Sequence, residues 1–253
     1  MSAPTRVGLI GGSGVYDLAA IEDLREETID TPFGRPSDSY FTGTLGGAPV
    51  AFLSRHARGH RRSPTEINYR ANVCGFKMLG CDAILSASAC GSLREELAPR
   101  HAAVPSQFID RTRHRQDSFF QGGVVAHASL ADPVCPALSE TLAAAGQREG
   151  LEIHRGATYV CMEGPQFSTR AESRLYRSWG ADVIGMTNLT EARLAREAEI
   201  CYASLALVTD YDCWHETAED VSVEVIVAIL GENAAAARRT LAAAVAAVDP
   251  SRG

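Results

Sequence analysis

At 253 residues, with 45% apolar and 22% charged side chains, the chain is long enough to bury one large α/β core, and its composition is that of an ordinary globular domain. A formal net charge of -7 argues against nucleic acid as the main partner, because a phosphate backbone needs a basic surface. No apolar run reaches the length of a membrane span, and residues 1–6 lack the apolar core of a signal peptide, so no membrane association is expected and the expected location is cytoplasmic.

In chain order, residues 7–10 read as a buried strand that runs into Gly11-Gly12-Ser13-Gly14. Free N–H groups in such a turn form an anion cradle, but the glycine spacing is not that of a dinucleotide fingerprint. Residues 49–54 read as a second strand, ending in the basic cluster from Arg55-His56 to Arg61-Arg62, which suggests a bound anion or a solvated loop. A helix is predicted from Pro64 to near Gly80, with Ile67, Ala71, Val73 and Phe76 on its inner face. Residues 83–92 form an apolar strand ending in small residues that leave room for a ligand. Residues 102–109 read as a strand. Residues 113–136 are turn-rich and carry His114 and His127, neither informative alone.

A helix is predicted over 137–148 with Gly150 as its stop, then a strand over 157–162, a polar helix over 169–179 and a strand over 182–186 ending at Thr187. Asn188 and Glu191 have capping-box spacing for a helix to about Glu199. The apolar run 205–208 ends in Thr209-Asp210-Tyr211-Asp212, whose two carboxylates share one side if the chain stays extended. Ser222 can cap a segment carrying Val223, Ile226, Val227 and Leu230 at helical spacing, and the Ala-rich run 233–248 is helical by propensity. The seven cysteines include no Cys-x-x-Cys pair or zinc-spaced cluster, so reduced thiols and no metal are expected. Strands alternating with helices, with the polar signals gathered after strands, predict an α/β fold: one domain over residues 1–253, its mainly parallel mixed sheet flanked by helices. The donor-rich segments suit a phosphate and the Asp pair suits a heterocycle, which together point to a nucleotide, or to a nucleoside with free phosphate.

The chain resembles the methylthioadenosine phosphorylases, a branch of the trimeric purine nucleoside phosphorylases. The motifs carrying the resemblance include Gly11-Gly12-Ser13-Gly14, Thr31-Pro32-Phe33-Gly34-Arg35-Pro36-Ser37, Arg55-His56, Asn68-Tyr69-Arg70-Ala71-Asn72, Ala89-Cys90-Gly91-Ser92-Leu93-Arg94-Glu95-Glu96, Gln107-Phe108-Ile109-Asp110-Arg111-Thr112, Glu163-Gly164-Pro165, Arg170-Ala171-Glu172-Ser173, Trp179-Gly180-Ala181-Asp182-Val183-Ile184 and Thr209-Asp210-Tyr211-Asp212-Cys213-Trp214. The resemblance implies a phosphate site of Ser13, Arg55, His56, Ser88, Ala89 and Thr187. It implies a nucleoside site of Phe167, Ser168, Met186, Asp210 and Asp212, and a 5′-pocket of Val223, Ile226 and Val227 with His127 from a neighbouring subunit of a homotrimer. Ser13 and Ser88 keep the hydroxyl where relatives often have Thr. Gln166 departs from the Gly-Pro-Arg-Phe pattern, and the chain stops at Gly253 where some relatives have a longer tail closing the pocket.

The implied reaction is phosphorolysis of 5′-methylthioadenosine to adenine and 5-methylthioribose 1-phosphate, with Asp210 as the acid toward purine N7, inorganic phosphate as co-substrate and no cofactor. A relative acting on adenosine, other 5′-modified adenosines or methylthioinosine is the alternative within the family. A nucleoside sensor without turnover is the alternative outside it.

Overall fold

The structure, a computed structural model, describes residues 6–12, 18–215 and 223–248; the side chains of residues 223–227, 230 and 233 lie outside what it describes. Its strands are β1 (Arg6–Gly11), β2 (Glu22–Glu27), β3 (Tyr40–Leu45), β4 (Ala48–Ser54), β5 (Cys81–Ser92), β6 (Ala102–Arg111), β7 (Ile153–Met162), β8 (Val183–Gly185) and β9 (Cys201–Asp210). Its helices are α1 (Tyr69–Met78), α2 (Pro136–Arg148), α3 (Arg170–Ser178), α4 (Asn188–Glu197) and α5 (Val223–Ala247).

The central strands alternate between two buried layers, as side chains of period two must when both faces are covered. Val7, Leu9, Leu85, Ala87, Leu205 and Leu207 pack with Leu138 and Leu142 of α2 and Ala237 and Leu241 of α5. Ile10, Leu53, Ile84 and Tyr202 pack on the other face with Val73 and Phe76 of α1 and Leu194 of α4. The helices therefore flank the sheet on both faces.

The sheet is mixed, in the order β2-β3-β4-β1-β5-β8-β7-β6-β9, and β5 also pairs with β9. That extra pairing closes β5, β8, β7, β6 and β9 into a five-stranded ring. β1, β4, β5 and β9 are mutually parallel, so their C-terminal ends share one edge. β8 runs antiparallel to β5, with Ile184 opposite Gly91, which carries the following Met186 and Thr187 back along β5 toward Ser88. Ligands of open α/β sheets sit outside the carboxyl ends of the strands, and this edge is that place.

Four expectations are corrected. β2 and β3 are strands that the hydrophobic pattern did not reveal: β2 is polar and largely exposed. α1 starts at Tyr69 rather than Pro64, because Asn68 is its N-cap and accepts from the Ala71 amide. The two C-terminal helical segments are one 25-residue helix, α5. Asn188 does not cap α4; Thr187 holds that position, and the Glu191 side chain is spent elsewhere.

Candidate active site

Arg55 follows β4 and is almost fully buried, at 1% exposure. Its amide donates to the Gly11 carbonyl at 3.0 Å, which ties it to the end of β1. Its Nε donates to Glu191 at 2.5 Å and its Nη2 to the other Glu191 oxygen at 3.2 Å. Nη2 also donates to Ser86 at 2.6 Å, and Nη1 to the Ala87 carbonyl at 3.0 Å. Glu191 accepts further from the Ser86 and Tyr202 hydroxyls, each at 2.8 Å. Burial opposes the guanidinium charge, but the Glu191 carboxylate more than offsets this and holds the pKa above its ordinary value. Four of its five guanidinium N–H groups thus have acceptors among the described residues.

His56 sits next to this pair. Its Nδ1 lies 2.9 Å from the Arg62 carbonyl, so Nδ1 carries the hydrogen and Nε2 presents a lone pair. Burial, and then the Arg55 charge, push its pKa down to about 4. Ser88, on β5, donates to the Asn188 side-chain oxygen at 2.8 Å, and the Thr187 hydroxyl lies 3.1 Å from the same atom. Ala89 is the next residue of β5 and is half-buried. Arg55, His56, Ser88, Ala89 and Thr187 thus share one neighbourhood at the edge of the ring. Ser13 lies outside the described residues.

Asp210 ends β9 on the same edge, where a register shift places it opposite Gly91 and leaves Thr209 as the extra residue. Such bulges re-aim a side chain. The Thr209 hydroxyl lies 2.7 Å from one Asp210 oxygen and 3.2 Å from the Cys90 carbonyl; the Asp212 amide donates to the other Asp210 oxygen at 2.8 Å. Burial raises the Asp210 pKa, and the Asp212 charge adds to that, against the two hydrogen bonds. The chain does not stay extended beyond Asp210: Asp212 has a left-handed φ of 48°. The turn still brings the two acids to one place, since a Cβ at Gly91 would lie 2.9 Å from the Asp210 carboxylate and 3.3 Å from Asp212 Cβ.

Asp212 is 5% exposed. Burial raises its pKa, partly countered by the Ser173 and Ser168 hydroxyls and the Cys213 amide. Its buried Oδ2 has no hydrogen-bond partner among the described residues. Phe167 is exposed, and the Met186 sulfur packs against Gly164, just before Phe167 and Ser168.

His127 lies in an exposed, irregular stretch beside Val124 and Val125, at 61% and 78% exposure. It is not brought to the Asp210 edge of its own chain by any contact the structure gives. Val223, Ile226 and Val227 fall in the first turns of α5, with side chains outside the described set.

Sequence reasoning gave no site role to Glu191, Ser86, Thr209, Gly91 or Arg115, whose side chain is buried. Arg115 donates to Thr190 at 3.0 Å and to the Glu163 carbonyl at 2.8 Å, fastening its segment to α4 and to the loop after β7. Glu163 in turn accepts from Thr65 at 2.7 Å and from the Arg113 amide.

A sequence model of the phosphorylase superfamily matches residues 6–248. The S-methyl-5′-thioadenosine phosphorylase of Geobacter sulfurreducens is 57% identical over 247 residues, 97% of this chain and 86% of that one. A solved methylthioadenosine phosphorylase from an antarctic soil metagenomic library is 49% identical with a TM-score of 0.91, covering 96% of this chain and 86% of its own. A solved mutant adenosine/methylthioadenosine phosphorylase from Schistosoma mansoni, in complex with methylthioadenosine, is 36% identical with a TM-score of 0.90, covering 96% and 91%.

Proposed function

Since this chain belongs to the phosphorylase superfamily, we propose that it catalyses phosphorolysis of S-methyl-5′-thioadenosine to adenine and 5-methylthioribose 1-phosphate. The observation that carries the reading is the pair of buried carboxyl groups, Asp210 and Asp212, one with a protonation-prone acid and the other with an unpartnered acceptor oxygen.

The chemistry runs as follows. Phosphate binds between the glycine turn carrying Ser13, the Arg55-His56 corner, Ser88-Ala89 and Thr187. Its negative charge stabilises the cationic sugar that forms as the C1′–N9 bond breaks. The bonding electrons go to the purine, and a protonated Asp210 donates to N7 while Asp212 accepts from the exocyclic amine. A phosphate oxygen then bonds to C1′. Thr209 can free the Asp210 oxygen for its proton by turning its hydroxyl to the Cys90 carbonyl. Phe167, Ser168 and Met186 flank the nucleoside. Phosphate is the co-substrate, and no organic cofactor or metal is needed.

Val223, Ile226 and Val227 form an apolar 5′-pocket completed by His127 of a neighbouring copy in a homotrimer; the exposed Val124 and Val125 beside His127 support that assembly. The reading places the enzyme in the cytoplasm, in purine and methionine salvage.

Adenosine is the second reading, because the Schistosoma mansoni relative carries both nucleosides in its name. An apolar pocket strips water from a 5′-hydroxyl at about 1–3 kcal/mol, so methylthioadenosine should win by roughly 5- to 150-fold in kcat/KM. The test is release of free base from methylthioadenosine, adenosine and methylthioinosine, each with and without phosphate. Methylthioadenosine should be preferred and every rate should require phosphate. A better rate with adenosine removes the apolar-pocket assignment, and undiminished release without phosphate removes the reading as a whole.

A further inference from the structure

Asn188, the first residue of α4, is fully buried and has no part in the proposed reaction. Its Oδ1 stands among three hydroxyls: Ser88 at 2.8 Å, Thr187 at 3.1 Å and Tyr159 at 3.3 Å. A carbonyl oxygen has two lone pairs, so three donors compete for it. The other end of the same carboxamide is the reverse case. Nδ2 is buried, and none of the described residues accepts from it. A buried amide donor left without an acceptor is costly, and a Leu of nearly the same shape would avoid that cost. Capping does not account for the residue either, because Thr187 holds the N-cap position of α4.

We propose that Asn188 is a positioning residue for phosphate: its carboxamide makes a half turn when the anion binds, and Nδ2 then donates to the Ser88 and Thr187 hydroxyl oxygens while their hydrogens point at the phosphate. The inference rests on the phosphorylase reading, in which Ser88 and Thr187 bind phosphate.

Each hydroxyl has one hydrogen to give. With Oδ1 turned toward them, Ser88 and Thr187 spend it on Asn188. To donate to an anion they must break those bonds, and Oδ1 would then face hydroxyl lone pairs. A half turn about Cβ–Cγ exchanges Oδ1 with Nδ2, groups of nearly equal size, so the packed surroundings need not move. Both N–H groups then find hydroxyl oxygens. Each resulting chain runs in one direction, from N–H to hydroxyl to phosphate oxygen, and each bond in it polarises the next. Ser88 lies on β5 and Thr187 just after β8, and Asn188 is the side chain that touches both hydroxyls.

The test compares the KM for phosphate with the KM for methylthioadenosine in full-length wild type, Asn188→Leu and Asn188→Thr. Leu keeps the shape without a donor, and Thr keeps a single donor. The phosphate KM should rise about tenfold in Asn188→Leu, the worth of one or two neutral hydrogen bonds, and about threefold in Asn188→Thr, with the methylthioadenosine KM unchanged in both. In a protein already carrying Ser88→Ala and Thr187→Val, adding Asn188→Leu should leave the phosphate KM where it is, because the hydroxyls through which Asn188 acts are gone. A purely structural Asn188 would cost the same in both backgrounds, and that result overturns the proposal. An unchanged phosphate KM in Asn188→Leu, or a rise of equal size for methylthioadenosine, overturns it as well. If Asn188→Leu does not fold, Asn188→Thr decides: an unchanged phosphate KM there rejects the role. Adenine release by wild type that needs no phosphate would remove the phosphorylase reading together with this inference, whereas a phosphate-dependent wild type with an unaffected Asn188→Leu removes the role of Asn188 alone.

Discussion

In the proposed reaction Asp210 is the residue on which the chemistry turns. A carboxyl lifted by burial and by Asp212 moves toward the protonated form that N7 needs. Asp210→Asn keeps the size and loses the acid, and kcat is expected to fall by roughly 10²–10⁴, the usual range for general acid–base groups. Wild-type kcat should also fall on the alkaline side as Asp210 ionises, a limb that the variant lacks. A near-wild-type kcat in the variant would remove Asp210 from the mechanism. Arg55 and Glu191 form the second decisive pair, at 1% and 2% side-chain exposure. Breaking a buried ion pair leaves a stranded charge, at about 3–5 kcal/mol, so both Arg55→Ala and Glu191→Gln should melt earlier. Their effects on phosphate should differ in sign. Arg55→Ala loses the cation and should raise the phosphate KM by roughly 10- to 150-fold, the worth of a charge-assisted contact. Glu191→Gln leaves the cation uncompensated, so phosphate should stabilise it against heat more than it stabilises wild type. Equal phosphate-induced shifts in the two proteins would show that Arg55 does not face the anion.

The elements deliver these side chains to one edge, and Gly91 shows how closely. A methyl there would lie 2.9 Å from the Asp210 carboxylate and 3.2 Å from Ile184. Gly91→Ala must therefore displace the acid, and since a misplacement near 1 Å costs on the order of 10²-fold, kcat should drop by about that factor. A kcat within twofold of wild type would mean that Asp210 has room to move without consequence. Strands with long apolar runs, β1, β4, β5, β6, β7 and β9, were legible in the sequence because burial on both faces dictates their composition. β2 was not, since Glu22-Asp23-Leu24-Arg25-Glu26-Glu27 is an exposed edge with no apolar period. Glu191 was misread because its spacing from Asn188 offered a local role, whereas its partner Arg55 lies 136 positions away. The bulge at Thr209 and the closing of the ring by three-residue β8 are likewise long-range register effects that no local pattern announces. Thr169 and Glu172 form a capping box at α3 that the sequence could have yielded by the same spacing rule.

On the proposed reading, the whole molecule brings two kinds of site together: an anion-binding side at Arg55 and an acceptor side at Asp212, on one edge of the ring. The proposal extends this logic to a neighbouring copy through the exposed stretch carrying His127, Val124 and Val125. Light scattering under assay conditions should give the mass of a homotrimer, and His127→Ala should weaken nucleoside binding while leaving the phosphate KM unchanged; a fully active monomer contradicts the shared site. The measurement that bears most directly on the account is a phosphorus balance during turnover of methylthioadenosine. By phosphorus NMR, one inorganic phosphate should vanish for each adenine released, replaced by a sugar 1-phosphate signal. Adenine formed with the inorganic phosphate signal unchanged, alongside free 5-methylthioribose, would contradict it and make the protein a hydrolase.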